Sequence, residues 1–258
     1  MRSPLAVVGN VLLPPGRRVM VSNSGGVYRP VLRPGESRLA GTKRIADDLW
    51  LIVHHEVTGR PHLAARSVGI GMAGGLLAEL MAAEVPTVTV RGGYVLPLRR
   101  RDGELVARSV RLGEPVAQQV LDVILSEPAP RPARDWLLYL GRTSAAVVAG
   151  RLERWGYLGR QPSRLPWRAP RPVPVNADWS HCALLRAHAA LDGSRELTPY
   201  CALLAGLTLA CGLGFRFSGF PAAAVRTAGE AARVLPRPLR DLIAAVQVTA
   251  DSTVLSTR

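Results

Sequence analysis

Three glycines in the segment SVGIGMAGGLLAEL have the spacing of a loop that binds a dinucleotide. They are Gly69, Gly71 and Gly74, in the pattern G-x-G-x-x-G. A functional loop of this kind follows a buried strand, opens a helix and precedes, by about 20 residues, an acid that holds a ribose. Here the preceding residues, TGRPHLAAR, are typical of a turn, and the acids beyond this segment, Glu84 and Asp102, have the wrong spacing. We therefore interpret the glycines as small residues of a packed helix.

Histidines are the next residues that could carry chemistry. The segment VHHEVTGRPHL places His54, His55, Glu56 and His62 close together in the sequence. A zinc site of the metalloprotease type needs H-E-x-x-H, with two histidines one helical turn apart, and this segment lacks that spacing. The sequence also has no G-x-S-x-G elbow and no phosphate-binding P-loop. These absences predict a protein that is not an enzyme and that holds neither a metal nor a cofactor.

The charge of the chain points to a different kind of function. Its 258 residues carry a formal net charge of +14, from 33 basic and 19 acidic residues. Lys43 is the only lysine, so 32 of the basic residues are arginine. The preference for arginine is typical of a GC-rich genome, but codon usage does not explain the sign of the net charge. An excess of this size indicates an anionic partner, either a membrane surface or nucleic acid.

Positive charge is most concentrated between residues 131 and 171. Nine arginines face only two acids there, Asp135 and Glu153, and the stretch LGRQPSRLPWRAPRP sets Leu165 and Trp167 among arginines. Tryptophan favours the headgroup layer of a bilayer and arginine attracts anionic lipid, so this stretch predicts a membrane contact. A basic loop that packs its tryptophan against its own domain fits the composition equally well. The arginines are Arg131, Arg134, Arg142, Arg151, Arg154, Arg160, Arg164, Arg168 and Arg171.

Cysteine usage and hydropathy indicate a cytoplasmic protein without a membrane span. The three cysteines have no C-x-x-C spacing, and the first residues, MRSPLAVVGNVLLPP, lack the cleavage site of a secretory signal. Residues 197–215 are uncharged and nearly long enough to cross a bilayer. However, Thr198 and Pro199 are typical of a helix start, and Gly212 and Gly214 of a stop. We predict a buried core helix there.

Apolar spacing predicts a mainly α fold. Residues 1–40 are expected to be a partly disordered extension, and residues 41–258 a single helical domain. TVTVRGGYVLPL predicts a β-hairpin around Gly92 and Gly93, ELVARSVRL a further strand, and Pro115 the start of a helix. The first two helices are predicted at about 42–58 and 65–83. The later ones are predicted at about 133–140, 143–157, 177–191, 199–212, 221–233 and 237–248.

Five segments follow one another along the chain: RIADDLWLIVHHEVTGRP, ARSVGIGMAGGLLAEL, GEPVAQQVLDVIL, RLERWGYL and LTPYCALLAGLTLACGL. In this order they resemble the Golgi phosphoprotein 3 family, and the first two are the most specific. The resemblance covers about residues 42–250, and the arginine usage points to a divergent, bacterial member. It implies a compact multi-helix domain with central antiparallel helices and a small projecting β-hairpin. It also implies a non-enzymatic peripheral membrane adaptor that binds phosphatidylinositol 4-phosphate.

The resemblance carries over only part of the family's lipid site. Arg142 matches the first of two family arginines, but Ala145 stands in place of the second. Ala64 stands where the family has a tryptophan, and Ala73 where it has an arginine. Arg66 is expected to supply a substitute charge near the headgroup.

The hairpin that meets the membrane in the family corresponds here to about residues 158–175. We expect its contact residues to include three arginines and two apolar side chains. They are Arg160, Arg164, Leu165, Trp167 and Arg168.

We therefore predict a peripheral protein that binds anionic lipid in general rather than one specific headgroup. An adaptor would also have a protein partner, which the sequence does not identify. The alternative is a nucleic-acid-binding protein that uses the same arginine-rich surface. It is disfavoured because no recognised nucleic-acid motif is present and few aromatic residues accompany the arginines. A nucleotide-dependent enzyme is the third hypothesis.

Overall fold

The computed structural model describes residues 44–83, 86–100, 103–109, 111–127, 129–162, 169–190, 198–217 and 232–255. The described chain is mainly α-helical with small antiparallel β-hairpins, as the sequence predicts. The helices are α1 (Ile45–Val53), α2 (Ala65–Met81), α3 (Val106–Ser109), α4 (Pro115–Ser126), α5 (Ala133–Leu140), α6 (Ser144–Arg154), α7 (Ala177–His188), α8 (Pro199–Ala210) and α9 (Arg237–Leu255). Short 3-10 helices lie at Gly214–Phe217 and Ala232–Val234.

The strands form two small antiparallel sheets. In the first, β2 (Tyr94–Pro97) pairs with both β1 (Val88–Arg91) and β3 (Arg131–Pro132). Gly92 and Gly93 join β1 to β2 with φ angles of 60° and 81°. Two successive positive φ angles suit the twist of a tight hairpin, which confirms the hairpin predicted around these glycines. The second sheet is the hairpin of β4 (Leu158–Gln161) and β5 (Arg171–Pro174).

One predicted strand is wrong. The segment ELVARSVRL contains α3, and Leu105 alone forms an isolated bridge, with Arg99. Because α3 begins at Val106, directly after Leu105, the chain turns into a helix before the bridge can extend into a ladder. The predicted helix at 221–233 falls almost wholly outside the described residues, as does the extension at 1–40.

The apolar residues 197–215 behave as predicted. Their helical part is α8, in which all residues from Ala202 to Thr208 are buried. The side chain of Thr198 accepts a hydrogen bond from the amide of Cys201, and Pro199 occupies the first turn, so the predicted start is correct. Among the described residues, no helix is both long enough and apolar enough to cross a membrane.

The glycines of α2 mark the places where neighbouring helices come closest. A methyl group added to Gly75 would lie 2.9 Å from the Cα of Ala46 in α1. On Gly74 it would lie 2.6 Å from a side-chain carbon of Val246 in α9. The absence of side chains therefore lets α1 and α9 pack directly on α2. This confirms that the glycine pattern is a feature of helix packing.

A fully buried arginine joins four helices of the core. Arg151 of α6 donates from Nε to Asp47 of α1 at 2.7 Å and from both Nη atoms to Glu79 of α2 at 2.8 and 2.9 Å. It also donates to Glu114, the N-cap of α4, at 3.1 Å. We call these four residues the Arg151 cluster.

Two carboxylates of the Arg151 cluster also satisfy the first turns of helices. Glu79 accepts a hydrogen bond from the amide of Ala46 at 3.0 Å, at the start of α1. Glu114 accepts one from the amide of Ala117 at 2.7 Å, at the start of α4. The amide groups of a first helical turn have no partner inside the helix, so each carboxylate satisfies a donor that the fold would otherwise leave open.

Negative charge exceeds positive charge within the Arg151 cluster. Burial raises the pKa of the Asp47 carboxyl to about 7, with Arg151 opposing the shift and Glu79 adding to it. Burial alone would lower the pKa of Arg151, but the hydrogen bonds and charges of Glu79 and Asp47 raise it, so the guanidinium stays ionised. Arg44 adds a partly exposed positive charge 4.0 Å from Glu79.

The next residue of α1, Asp48, makes a second buried ion pair. Its two oxygens accept hydrogen bonds from Nε and Nη2 of Arg186 in α7, each at 2.7 Å. The hydroxyl of Tyr200 in α8 donates to the same carboxylate at 2.6 Å. Adjacent acids of α1 therefore attach it to the Arg151 cluster on one side and to α7 and α8 on the other.

Substitution of two helical glycines tests the packing of α2. We expect Gly75→Ala to destabilise the fold by about 1–3 kcal/mol, because the new methyl group meets the backbone of α1. Gly150→Ala in α6 is the matched control, since no atom lies within 4 Å of its added methyl group. It should stabilise the fold by up to about 1 kcal/mol through helix propensity. Urea unfolding measures both, and equal effects would contradict the packing interpretation.

Removal of the buried guanidinium tests the Arg151 cluster. We expect Arg151→Met to lower the free energy of unfolding by about 3–5 kcal/mol, because it leaves buried carboxylates without their counter-charge. Arg160→Met is the control: its pair with Glu153 is mostly exposed, so its loss should cost less than about 1 kcal/mol. An Arg151→Met protein that unfolds at the same urea concentration as wild type would show that the cluster does not stabilise the core.

Candidate functional site

The β4–β5 hairpin lies where the sequence predicts a membrane contact. Leu158 pairs with Pro174 and Gln161 with Arg171. Proline lacks an amide donor, but a two-stranded hairpin has an outer edge on which prolines are tolerated, so Pro172 and Pro174 fit β5. The segment between the strands carries Arg164, Leu165, Trp167 and Arg168, all of which lie outside the described residues.

The loop between α1 and α2, residues 54–64, packs against this hairpin. Gly59 has a φ angle of 60°, and a Cβ at this position would overlap the carbonyl oxygen of Pro172 in β5. The loop is closed by hydrogen bonds from the amide of His55 to the carbonyl of Arg60, at 2.8 Å, and from that of His62 to Val53, at 2.9 Å. The hairpin is thus held beside the amino-terminal end of α2.

A close backbone contact brings the two predicted headgroup arginines to the same region. A Cβ on Gly69 of α2 would overlap the carbonyl oxygen of Gly141, which ends α5. Arg66 lies less than one turn before Gly69, and Arg142 follows Gly141 directly. Both arginine side chains are exposed. Positions 76 residues apart in the sequence therefore lie in neighbouring turns of the backbone.

The three alanines that depart from the family pattern differ in their surroundings. Ala64 is exposed just before α2, and Ala145 is partly buried in the first turn of α6. Ala73 is completely buried within α2. None of these positions offers a polar side chain to a headgroup.

Three arginines of the basic segment are paired with acids. Arg131 of β3 lies 2.6 Å from a carboxylate oxygen of Glu127. Arg151 is buried in the Arg151 cluster. Arg160 of β4 donates to Glu153 at 2.9 and 3.1 Å, which neutralises much of its charge. Counting charges along the sequence therefore overestimates the positive potential of residues 131–171. The roles of Arg151 and Arg160 were not apparent from the sequence, because their partners belong to other elements of the fold.

The adjacent histidines of the loop have different environments. His54 is buried, stacks on Trp50 with ring centroids 3.8 Å apart, and donates from Nδ1 to the carbonyl of Trp50 at 2.9 Å. Burial lowers its pKa to about 4. His55 is more exposed, and its Nδ1 lies 3.8 Å from Oε2 of Glu56. Among the described residues, no three side chains of the metal-binding types are grouped as a metal ion requires.

Sequence reasoning missed one residue of this region, Arg216. It follows Phe215 in the short 3-10 helix after α8, and the ring of Phe215 meets that of His62 edge to face at 6.1 Å. Gly71 of α2 lies against the sulfur of Cys211, which explains why the end of α8 reaches this part of the molecule. No sequence motif surrounds Arg216, so no signal indicated it.

These features of fold and site correspond to a known family. The family model of Golgi phosphoprotein 3 (GPP34) matches residues 45–246, from the start of α1 into α9. The chain belongs to the Golgi phosphoprotein 3 family. A search of curated proteins found none that matches it. Because this is a family of adaptors without catalytic activity, membership agrees with the expectation that the protein is not an enzyme.

The pKa of His54 predicts how the stability of this family member depends on pH. Below its ordinary pKa of 6.5, the unfolded chain binds a proton that folded His54 takes up only near pH 4. Its contribution is therefore present above pH 6.5 and is lost as the pH falls towards 4, by up to about 3 kcal/mol.

His54→Asn is the matched variant, because its amide can retain the hydrogen bond to Trp50. The difference in unfolding free energy between wild type and variant should shrink as the pH falls from 7 to 4. Asp47 contributes with the opposite sign, since its pKa is raised, but it is present in both proteins and cancels. A difference that stays constant with pH would contradict the assignment.

Proposed function

We propose that this protein is a non-enzymatic peripheral membrane adaptor that binds anionic lipid through Arg66, Arg142 and the β4–β5 hairpin. The observation that carries the proposal is the backbone contact between Gly69 and Gly141, which brings two exposed arginines together. The contact of Gly59 with Pro172 holds the hairpin beside them. A lipid surface is extended and could engage these elements at once.

Electrostatics favours an anionic surface as the partner of these arginines. Within the described part of the chain, neither Arg66 nor Arg142 forms an ion pair, unlike Arg151, Arg160 and Arg186. Each unpaired arginine near an acidic membrane is worth about 1 kcal/mol. The net charge of +14 would add a longer-range attraction.

The segment that joins β4 to β5 is proposed to supply the apolar part of the contact. Trp167 and Leu165 would enter the headgroup layer, while Arg164 and Arg168 would bind lipid phosphates. Because Arg160 is engaged by Glu153, it should contribute less than the other arginines of the hairpin. Tryptophan partitioning is not Coulombic, so its contribution should persist at high salt, where charge is screened.

Recognition of one specific headgroup is not part of the proposal. A stereospecific phosphoinositide site needs several donors that converge on the phosphates, and alanines occupy three of the positions where the family has larger side chains. Arg142 and Arg66 alone would favour acidic lipids as a class. We further propose that the protein acts at a cytoplasmic membrane surface with a protein partner that is not identified.

Vesicle binding tests this function. We expect Arg66→Ala/Arg142→Ala to bind vesicles rich in phosphatidylserine about tenfold or more weakly than wild type at 0.1 M salt. Arg164→Ala/Arg168→Ala should weaken binding by a similar factor. Trp167→Ala should weaken binding by the same factor at low and at high salt. Co-sedimentation across a lipid panel that includes phosphatidylinositol 4-phosphate measures each.

The matched control removes two exposed arginines that lie outside α2, in elements that follow or pack near its carboxyl end. Arg91 ends β1, which follows the carboxyl end of α2, and Arg240 lies early in α9, which packs on β1. Arg91→Ala/Arg240→Ala has the same net charge as the test variant and should bind like wild type. Equal losses in the two double variants would refute a localised site. Tighter binding to nucleic acid than to vesicles, in a gel shift at matched salt, would favour the alternative function.

A further inference from the structure

Basic and titratable side chains meet where the loop 54–64, α7 and the end of α8 come together. The ring centroids of His55 and His62 are 6.0 Å apart. Arg216 lies beside this pair, since Phe215 contacts His62, and its carbonyl oxygen is 3.4 Å from Nε2 of His188 in α7. We call His55, Glu56, His62 and Arg216 the Arg216 cluster.

Arg216 lacks the partners that the more deeply buried arginines have. Arg151 and Arg186 each bind buried carboxylates, whereas Arg216 forms no ion pair among the described residues. Its Nε is buried without a hydrogen-bond partner there, and so is Nε2 of His62. A buried polar group left without a partner costs about 1–3 kcal/mol. A group that accepts from both nitrogens would therefore be stabilised at this place.

The charges of the Arg216 cluster favour an anion once the histidines are protonated. Burial lowers the pKa of His62, and the charges of Arg216 and His55 lower it further, against Glu56. The backbone amide of Glu56 holds the pKa of its carboxyl below the ordinary value, with help from His55, Arg216 and, across the cluster, His181. Glu56 and Arg216 thus balance each other at neutral pH, and each protonated histidine adds a positive charge.

Exposed apolar side chains border the Arg216 cluster. Val57 in the loop is 62% exposed and Phe215 is 53% exposed. On α7, Leu185 is 58% exposed and lies on the same helical face as His181 and His188. A ligand with a charged phosphate and an apolar remainder would match this combination.

We infer that Arg216 and His62, with His55 beside them, form a binding site for a phosphate monoester. The anion accepts hydrogen bonds from Arg216 and from the protonated imidazole of His62, and charge-assisted bonds of this kind are strong. Both residues are partly exposed, whereas the two nitrogens are buried, so binding requires a side-chain rotation that uncovers them. Arg66 and Arg142 are not part of this site. The inference therefore does not rest on the function proposed above.

Nuclear magnetic resonance of the full chain, labelled with nitrogen-15, tests the site. Inorganic phosphate should give saturable shifts of the His62 ring and Arg216 side-chain signals at pH 6.0. Sulfate, which stays doubly charged, should bind at least about five- to tenfold more weakly at pH 7.5 than at pH 6.0. The protonated fraction of an ordinary histidine falls by about this factor, and the lowered pKa of His62 makes the fall larger. Absence of saturable shifts at pH 6.0 would overturn the proposal.

Variants identify the residues responsible. Arg216→Gln should weaken phosphate binding at pH 6.0 about tenfold, and His62→Gln should weaken it and remove most of its pH dependence. If Arg216→Gln does not fold, His62→Gln provides the same test. Arg240→Gln, at an exposed arginine of α9, should bind phosphate like wild type. Wild-type affinity in a folded Arg216→Gln protein would overturn the proposal.

Vesicles distinguish the two sources of a phosphate monoester. Phosphatidic acid carries a monoester headgroup, whereas phosphatidylglycerol carries a diester. If Arg216→Gln loses affinity for phosphatidic acid vesicles but not for phosphatidylglycerol vesicles, the ligand is a lipid headgroup. If the variant loses affinity for inorganic phosphate but binds both kinds of vesicle like wild type, the ligand is a soluble phosphorylated molecule. Both results support the site and assign its ligand.

Discussion

The position of α1 depends on how two adjacent buried carboxylates are neutralised. Asp47 turns towards Arg151 of α6, and Asp48 turns towards Arg186 of α7. Because an unpaired buried charge is costly, any arrangement of the helices must bring these arginines to α1. Glu79 and Glu114 extend the constraint to α2 and α4, since each also binds Arg151. Apolar packing supplies most of the stabilisation in a core of this size, but it is not directional. The ion pairs are directional and join defined positions of α1, α2, α4, α6 and α7.

The same arrangement explains the glycine-rich sequence of α2. The Arg151 cluster holds α1 against α2 so closely that Gly75 faces the backbone of Ala46. Further along α2, Gly74 accommodates α9 and Gly69 accommodates the turn after α5. Glycine lowers helix stability, and here close contact with three neighbours offsets that cost. The contact at Gly69 also brings the turn of α2 that carries Arg66 close to Gly141, the residue before Arg142.

One end of α2 thus collects features from distant parts of the chain. The loop 54–64 rests on the β4–β5 hairpin through Gly59, and the end of α8 reaches the loop through Phe215. This region carries the exposed arginines of the proposed lipid contact and the histidines of the Arg216 cluster. A charged membrane surface and a single phosphate group place different demands on a protein. The first needs accessible charge over an area, and the second needs converging donors, so neighbouring residues could serve both.

Elements with local signals can be predicted from the amino-acid sequence. Pro115 and the pair Thr198 and Pro199 start α4 and α8, and Gly92 and Gly93 turn the first hairpin, because these residues narrow or widen the range of backbone angles where they stand. Which charges are paired, in contrast, depends on the fold. Arg151 lies 104 positions from Asp47 and 72 from Glu79, so its sequence neighbourhood suggests a basic surface although the side chain is buried. Arg216 is the opposite case, because no sequence motif surrounds it. That it has no ion-pair partner among the described residues is visible only in the fold. Pairing of charges depends on distance in space, and a sequence records that distance only for residues within a few positions of one another.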